Sequence, residues 1–112
     1  MKLSSLRELD YVEVSHNPKI KKQILLGNDA LPNLISFSCA VFPPGEMAGA
    51  HSHADMSEVF FVQSGRGVIN IDGKEYPLEK GVCAAVEAGE EHEIRNTGFE
   101  DLVLSYFAIK AD

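Results

Sequence analysis

A chain of 112 residues has material for one hydrophobic core of ordinary size, so residues 1–112 are expected to form a single domain. Apolar residues at 45% and charged residues at 24% match a folded soluble protein, while the formal net charge of −7 opposes phosphate backbones and anionic bilayers, so neither nucleic acid nor membrane is an expected partner. No apolar run approaches the ~20 residues of a spanning helix, and Arg7 and Glu8 fall where a signal peptide would be apolar, which makes the cytoplasm the expected address.

The first ten residues read as an extra strand or a short helical turn packed on the outside, and Ile20–Leu26 as a weak strand. His16, in Ser15-His16-Asn17-Pro18, has turn-forming neighbours and reads as a surface residue. Ile35, Phe37, Cys39 and Val41 alternate with Ser36, Ser38 and Ala40, the period of a strand, and Pro43-Pro44 ends it.

From the middle onward glycines at 65, 73, 81, 89 and 98 recur at intervals of eight or nine, with β-type residues between them. Turn signals at this spacing predict an all-β sandwich or barrel of short antiparallel strands. The expected pieces are Val59–Gln63, Gly67–Ile71, Lys74–Leu78, Val82–Val86, His92–Asn96 and Leu102–Ile109. Asp72-Gly73 signals a two-residue hairpin, because a type I′ turn needs positive φ at both central positions. In Glu58-Val59-Phe60-Phe61-Val62 both faces are apolar, so one can line an interior while the other needs a second sheet or a second subunit, which points to a homodimer. Cys39 and Cys83 lie in apolar segments and read as small buried hydrophobes in a reducing compartment.

Chemistry concentrates in Gly45–Glu58. On a strand, i and i+2 share a face, so His51 and His53 project in parallel about 7 Å apart along the backbone and two imidazoles can tilt onto one ion. Glu58 follows at the start of the next apolar strand, and if that strand pairs beside the first, its carboxylate reaches the same point. His92 shares a face with Ile94 and Asn96, away from Glu91, Glu93 and Arg95. A single histidine on an apolar face is commonly a satisfied core residue. The other ligand-type residues, and a hairpin spacing that can return this strand to the earlier one, make it the fourth ligand candidate.

These residues resemble the cupin superfamily. Gly45, His51, His53, Glu58 and Gly65 fit its first motif, G-x5-H-x-H-x4-E-x6-G, at every specified position. Gly81, Gly89, His92 and Asn96 fit the second, G-x5-P-x-G-x2-H-x3-N, with Glu87 where the family usually has proline. The resemblance implies a small single-domain cupin, a double-stranded β-helix or jelly-roll barrel of two antiparallel sheets, with a metal held inside by His51, His53, Glu58 and His92.

Three neutral imidazoles and a carboxylate suit one divalent transition ion per chain, in the order Fe, Mn, Ni, Zn, Cu. Four protein ligands on an octahedral ion leave two positions for water or a small-molecule substrate, whereas a structural zinc site closes all four. The expected function is a metalloenzyme acting on a small oxygenated molecule, by dioxygenase-type or Lewis-acid isomerase or lyase chemistry; the alternative is a non-catalytic module that binds or senses a carbohydrate-like ligand. No catalytic residue is assigned. Gln63, Arg66, Tyr76, Tyr106 and Cys39 are the candidates for contact with a ligand or with the metal-binding side chains.

Overall fold

Alternating side chains separated by glycine and proline turns produce ten strands and, among the described residues, no helix. The structure, a computed structural model, describes residues 1–15 and 17–111. The expectation for His16 lies outside them. The strands are β1 (Val12–Val14), β2 (Asn17–Leu26), β3 (Leu34–Phe42), β4 (Met47–His51) and β5 (Met56–Ser64), then β6 (Arg66–Ile71), β7 (Lys74–Glu79), β8 (Cys83–Val86), β9 (His92–Asn96) and β10 (Leu102–Lys110).

They form two antiparallel sheets, one of six strands in the order β1-β2-β3-β10-β5-β8 and one of four in the order β4-β9-β6-β7. The all-β two-sheet expectation is met, and His92–Asn96 is reproduced to the residue as β9. The first ten residues supply the outer turn, with the Glu8 N–H donating to Ser5 O (3.0 Å), but the short strand β1 that follows carried no sequence signal. Asp72 (φ 49°) and Gly73 (φ 88°) make the predicted hairpin between β6 and β7.

The inward faces obey the period of two. Phe60 and Val62 of β5, Leu102 and Leu104 of β10, and Ile69 and Ile94 of the smaller sheet are at most 6% exposed and form the core between the sheets. Each such side chain contributes on the order of 2 kcal/mol relative to exposure.

Asn96 locks the corner that begins β4. It is 1% exposed; its Nδ2 donates to Phe42 O and Glu100 O (both 2.8 Å), and its Oδ1 accepts from the Gly98 N–H (2.8 Å). Its backbone N–H donates to Glu46 O (3.0 Å), so the chain leaving Pro43-Pro44 is pinned to β9 before β4 starts.

Two expectations are corrected. Glu58 does not reach the histidines through a strand beside β4: β4 pairs with β9 in the smaller sheet, and β5 pairs with β10 and β8 in the larger one. The residues meet across the gap between sheets. Cys83 is exposed and Cys39 half-buried, both as free thiols, because their positions on β8 and β3 face outward rather than into the core.

Gly65 (φ 85°) turns β5 into β6 where an added Cβ would meet Asp101 O at 2.3 Å and the Leu102 Cα at 2.8 Å, while Gly73 has open space around it. Gly65→Ala is therefore expected to cost roughly 3 kcal/mol or more, from left-handed strain plus a backbone collision, and Gly73→Ala about 1 kcal/mol from strain alone. Urea denaturation of both variants checks the order, and equal losses contradict it.

Candidate metal centre

Each candidate ligand is delivered by a different local device. His51 is the last residue of β4 and pairs with His92 across the β4–β9 ladder, which places their rings 4.2 Å apart between centroids. A register irregularity between Ala48 and His51 re-aims the end of the strand toward the interior. His53 lies beyond the strand, not on it, so the parallel i, i+2 projection expected from sequence does not apply. It is held instead by its carbonyl, which accepts the Gly89 N–H at 2.8 Å, while Ser57 Oγ accepts the Ala88 N–H at 3.2 Å.

Glu87, standing where proline was expected, donates its backbone N–H to Glu90 Oε1 (2.7 Å), an N–H that proline would lack. That bond closes the turn whose Glu90 carbonyl faces His92 Nδ1 at 3.2 Å. His51 Nδ1 is likewise 2.8 Å from Gly49 O. A ring that donates Nδ1–H to a carbonyl presents Nε2 as the free lone pair, the form a metal ligand needs.

The four ligand atoms of His51, His53, Glu58 and His92 lie within 4.8 Å of one another. Glu58 Oε1 is 3.1 Å from His92 Nε2 and 3.7 Å from His53 Nε2. Despite that closeness, Glu58 Oε1 and His92 Nε2 are buried without a hydrogen-bond partner among the described residues. Two buried polar atoms in this condition each cost roughly 1–3 kcal/mol, a penalty an ion between them would remove. The donor set and these convergent, unpartnered atoms fit a divalent transition cation.

Burial alone would lower the pKa of His92; its contact with the Glu58 carboxylate and the Glu90 carbonyl outweighs that and holds it above the ordinary histidine value. Beside the cluster lies a cavity of about 90 Å³, walled by Phe42, Phe60, Ile94 and Leu104 and reached by Tyr106. Burial and then the nearby Glu58 carboxylate push the Tyr106 phenol up to about 12. Its ring stacks on Phe60, with 5.4 Å between centroids.

Of the contact candidates from sequence, Tyr106 alone lines this cavity. Gln63 donates to Ser105 Oγ (3.0 Å) on the outside of the sheet, Arg66 pairs with Glu79 (3.7 Å), Cys39 faces outward, and Tyr76 borders a separate groove. The hydrogen bonds from residues 88 and 89 to the His53 loop had no sequence signal, since they join segments more than thirty residues apart.

A family profile described as a cupin domain matches residues 39–109. An oxalate-binding protein of Thermotoga maritima is 35% identical over 79 residues, which is 70% of this chain and 65% of that protein. An uncharacterised protein of Methanocaldococcus jannaschii is 27% identical over 63 residues, 56% of this chain and 50% of its own length. These matches thus span half to just under two thirds of the relatives' lengths.

Among solved structures, a predicted oxalate decarboxylase from Thermotoga maritima superposes with a TM-score of 0.90 at 28% identity, covering 99% of this chain and 100% of that one. KdgF from Halomonas sp. gives 0.83 at 20% identity, over 100% and 96%, a likeness of fold alone.

In metal-free protein the raised pKa of His92 makes its contribution to stability full below the unfolded value of about 6.5 and lost as pH rises through the folded value. A cation at the cluster competes with protons for the same nitrogens, so its effect runs the other way. The rise in Tm on adding a divalent transition metal, against a chelator control, is expected to be larger at pH 8 than at pH 5.5. A rise independent of pH contradicts the assignment, as does full stoichiometric metal in both His51→Ala and His92→Ala by elemental analysis.

Proposed function

The chain belongs to the cupin family, and from that premise we propose that residues 1–112 form one cupin domain in which a divalent transition ion, held by His51, His53, Glu58 and His92, takes a small oxygenated anion from the adjoining cavity. The observation that carries this reading is the make-up of the cavity. Among the described residues its lining, apart from the candidate ligands, is apolar except for Tyr106, with no lysine or arginine. At about 90 Å³ it is well below the roughly 300–1,000 Å³ of sites for drug-sized ligands, so it suits a ligand of a few heavy atoms.

When bound, the ion would supply a positive charge, roughly one unit after Glu58 is counted, able to polarise a carboxylate, carbonyl or hydroxy-acid. The chain's own residues do the rest. Glu58 repels an anion when no cation is present, which makes ligand binding strictly metal-dependent. Phe42, Phe60 and Leu104 exclude water and strengthen every charge interaction in the site. Tyr106, protonated throughout the neutral range, is available as a hydrogen-bond donor and does not act as a base there.

The Thermotoga maritima relatives are named for oxalate, and a compact dicarboxylate of that kind meets the size and charge requirements argued here. Turnover of the dioxygenase type, or Lewis-acid isomerase or lyase chemistry, is the enzymatic form of the proposal. Capture without reaction is the second reading, favoured by a cavity lining whose protic side chains, among the described residues, are the candidate ligands and Tyr106. Two free thiols fit a reducing compartment, and we place the protein in the cytoplasm, acting as a homodimer.

Calorimetric titration of oxalate into iron- or manganese-loaded protein is expected to show one site per chain, lost on chelation. Tyr106→Phe should weaken binding by about 1 kcal/mol, or roughly fivefold, through one lost hydrogen bond. Oxalate binding that persists in chelated protein contradicts the proposal. Oxygen uptake or product formation by the loaded protein separates turnover from capture.

A further inference from the structure

Strand β3 turns its small residues inward. Ser38, Ala40 and Phe42 are 1%, 2% and 4% exposed, while Ile35, Phe37, Cys39 and Val41 lie on the opposite face and are only half-buried. Ala40 and Phe42 line the cavity beside the candidate ligands, and Ser38 follows them on the same face, behind the cavity wall. A hydroxyl buried there has to find a hydrogen-bond partner, because leaving it unpaired forfeits the bonds it made to water.

The registers identify that partner. Ser38 stands opposite Tyr106 of β10 on one side and Ile24 of β2 on the other, and of the two only Tyr106 has a polar side-chain atom. Directly opposed residues of an antiparallel pair bring their Cβ atoms to about 4.5–5.5 Å, close enough for the two side chains to touch. A hydrogen bond joins them.

Tyr106 is held from its other side as well. It stands opposite Phe60 of β5, and the two rings stack with 5.4 Å between centroids and 25° between planes. Stacking fixes the plane of the phenol but not the direction of its O–H, which turns about the C–O bond. A phenol oxygen gives one hydrogen and accepts others. When Ser38 donates to that oxygen, the phenol's own hydrogen is left for a ligand; the reverse bond would consume it on β3. Donation by Ser38 agrees with its effect on the phenol: burial and the Glu58 carboxylate raise Tyr106, and the Ser38 contact draws it back down, as a donor to the oxygen does.

We propose that Ser38 is a positioning residue for ligand binding: its hydroxyl donates to Tyr106 Oη and thereby aims the phenol hydrogen at an anion in the cavity. This rests on the proposed capture of a small anion at the ion, and it adds a requirement. The part of the ligand that lies toward β10 must offer a hydrogen-bond acceptor, such as a carboxylate or carbonyl oxygen, whereas an ammonium group placed there would face a second donor. Ser38 stands behind the cavity wall, so its effect on the ligand passes through Tyr106.

A double-mutant cycle tests this, with oxalate titrated by calorimetry into iron- or manganese-loaded protein. Ser38→Ala is expected to weaken oxalate binding by roughly three- to fivefold, no more than Tyr106→Phe does, because it acts through that phenol. In the Tyr106→Phe background the same substitution should change binding by less than about twofold. Metal content by elemental analysis should equal that of the native protein in each variant. Equal weakening in both backgrounds marks a structural role and overturns the proposal, as does unchanged binding in Ser38→Ala or a loss of metal from it.

Failure of oxalate to bind the native loaded protein overturns the function proposed above, and a second cycle then judges Ser38 separately. In urea denaturation of the metal-free chain, the change that Ser38→Ala makes in the unfolding equilibrium constant should differ by roughly threefold or more between the native chain and Tyr106→Phe. A difference of that size upholds the Ser38 contact, and additive effects overturn it.

Discussion

Glu58 Oε1 and His92 Nε2 lie 3.1 Å apart in the interior, one on each sheet and neither with a hydrogen-bond partner among the described residues, and the rest of the site is arranged around that contact. A carboxylate and an imidazole are brought out of water only where the surrounding packing outweighs the cost of doing so. That packing is the apolar layer on either side: Phe60 and Val62 follow Glu58 along β5, and Ile94 follows His92 along β9, each on the same inward face. The sheet-to-sheet core thus holds together two groups that would otherwise be hydrated. His51 and His53 are less buried and close the cluster from the open end.

The second constraint is the corner before β4. Three side-chain hydrogen bonds of Asn96 join the end of β3 to the turn after β9, and its backbone N–H donates to Glu46 O just before β4. With that corner fixed, the β4–β9 register sets His51 opposite His92, and the irregularity after Ala48 turns the strand end inward. The loop at residues 87–90 then holds the segment carrying His53. Orientation of the candidate ligands is therefore a property of backbone hydrogen bonds more than of the histidines themselves. Such outer contacts fix ring tautomer and direction in metal sites generally.

The larger sheet divides its work between its faces. On β5 and β10, Glu58, Phe60 and Tyr106 point to the cavity, while Phe61, Ser105 and Phe107 point away from it. A period of two makes this division automatic, and it explains why a chain so small can have an apolar interior beside the candidate metal ligands and still keep apolar surface on its outside. Acidic charge is spread mostly elsewhere: the outer faces of β3, β10, β5 and β8 in the larger sheet carry none among the described residues, and the cavity walls carry only the Glu58 carboxylate.

Much of this was legible in one dimension because strand pattern and turn chemistry are local. The glycine interval, the Asp72-Gly73 turn, the Pro43-Pro44 break and the alternation through His92, Ile94 and Asn96 each depend on residues within a few positions of one another, and each stands in the structure. The four residues His51, His53, Glu58 and His92 were also singled out from residue type and spacing, and the fold brings their ligand atoms together. Which strands neighbour which was decided only by tertiary structure. Sequence suggested that β5 lies beside β4; the fold sends β5 to the opposite sheet, so Glu58 arrives from across the core. The same is true of Tyr106, chosen from five candidates by the inward parity of β10, and of Cys83, whose apolar neighbours concealed an outward position. Local pattern fixes which face of a strand is apolar, but the partner of that face is set by long-range packing, which has no signature in neighbouring residues.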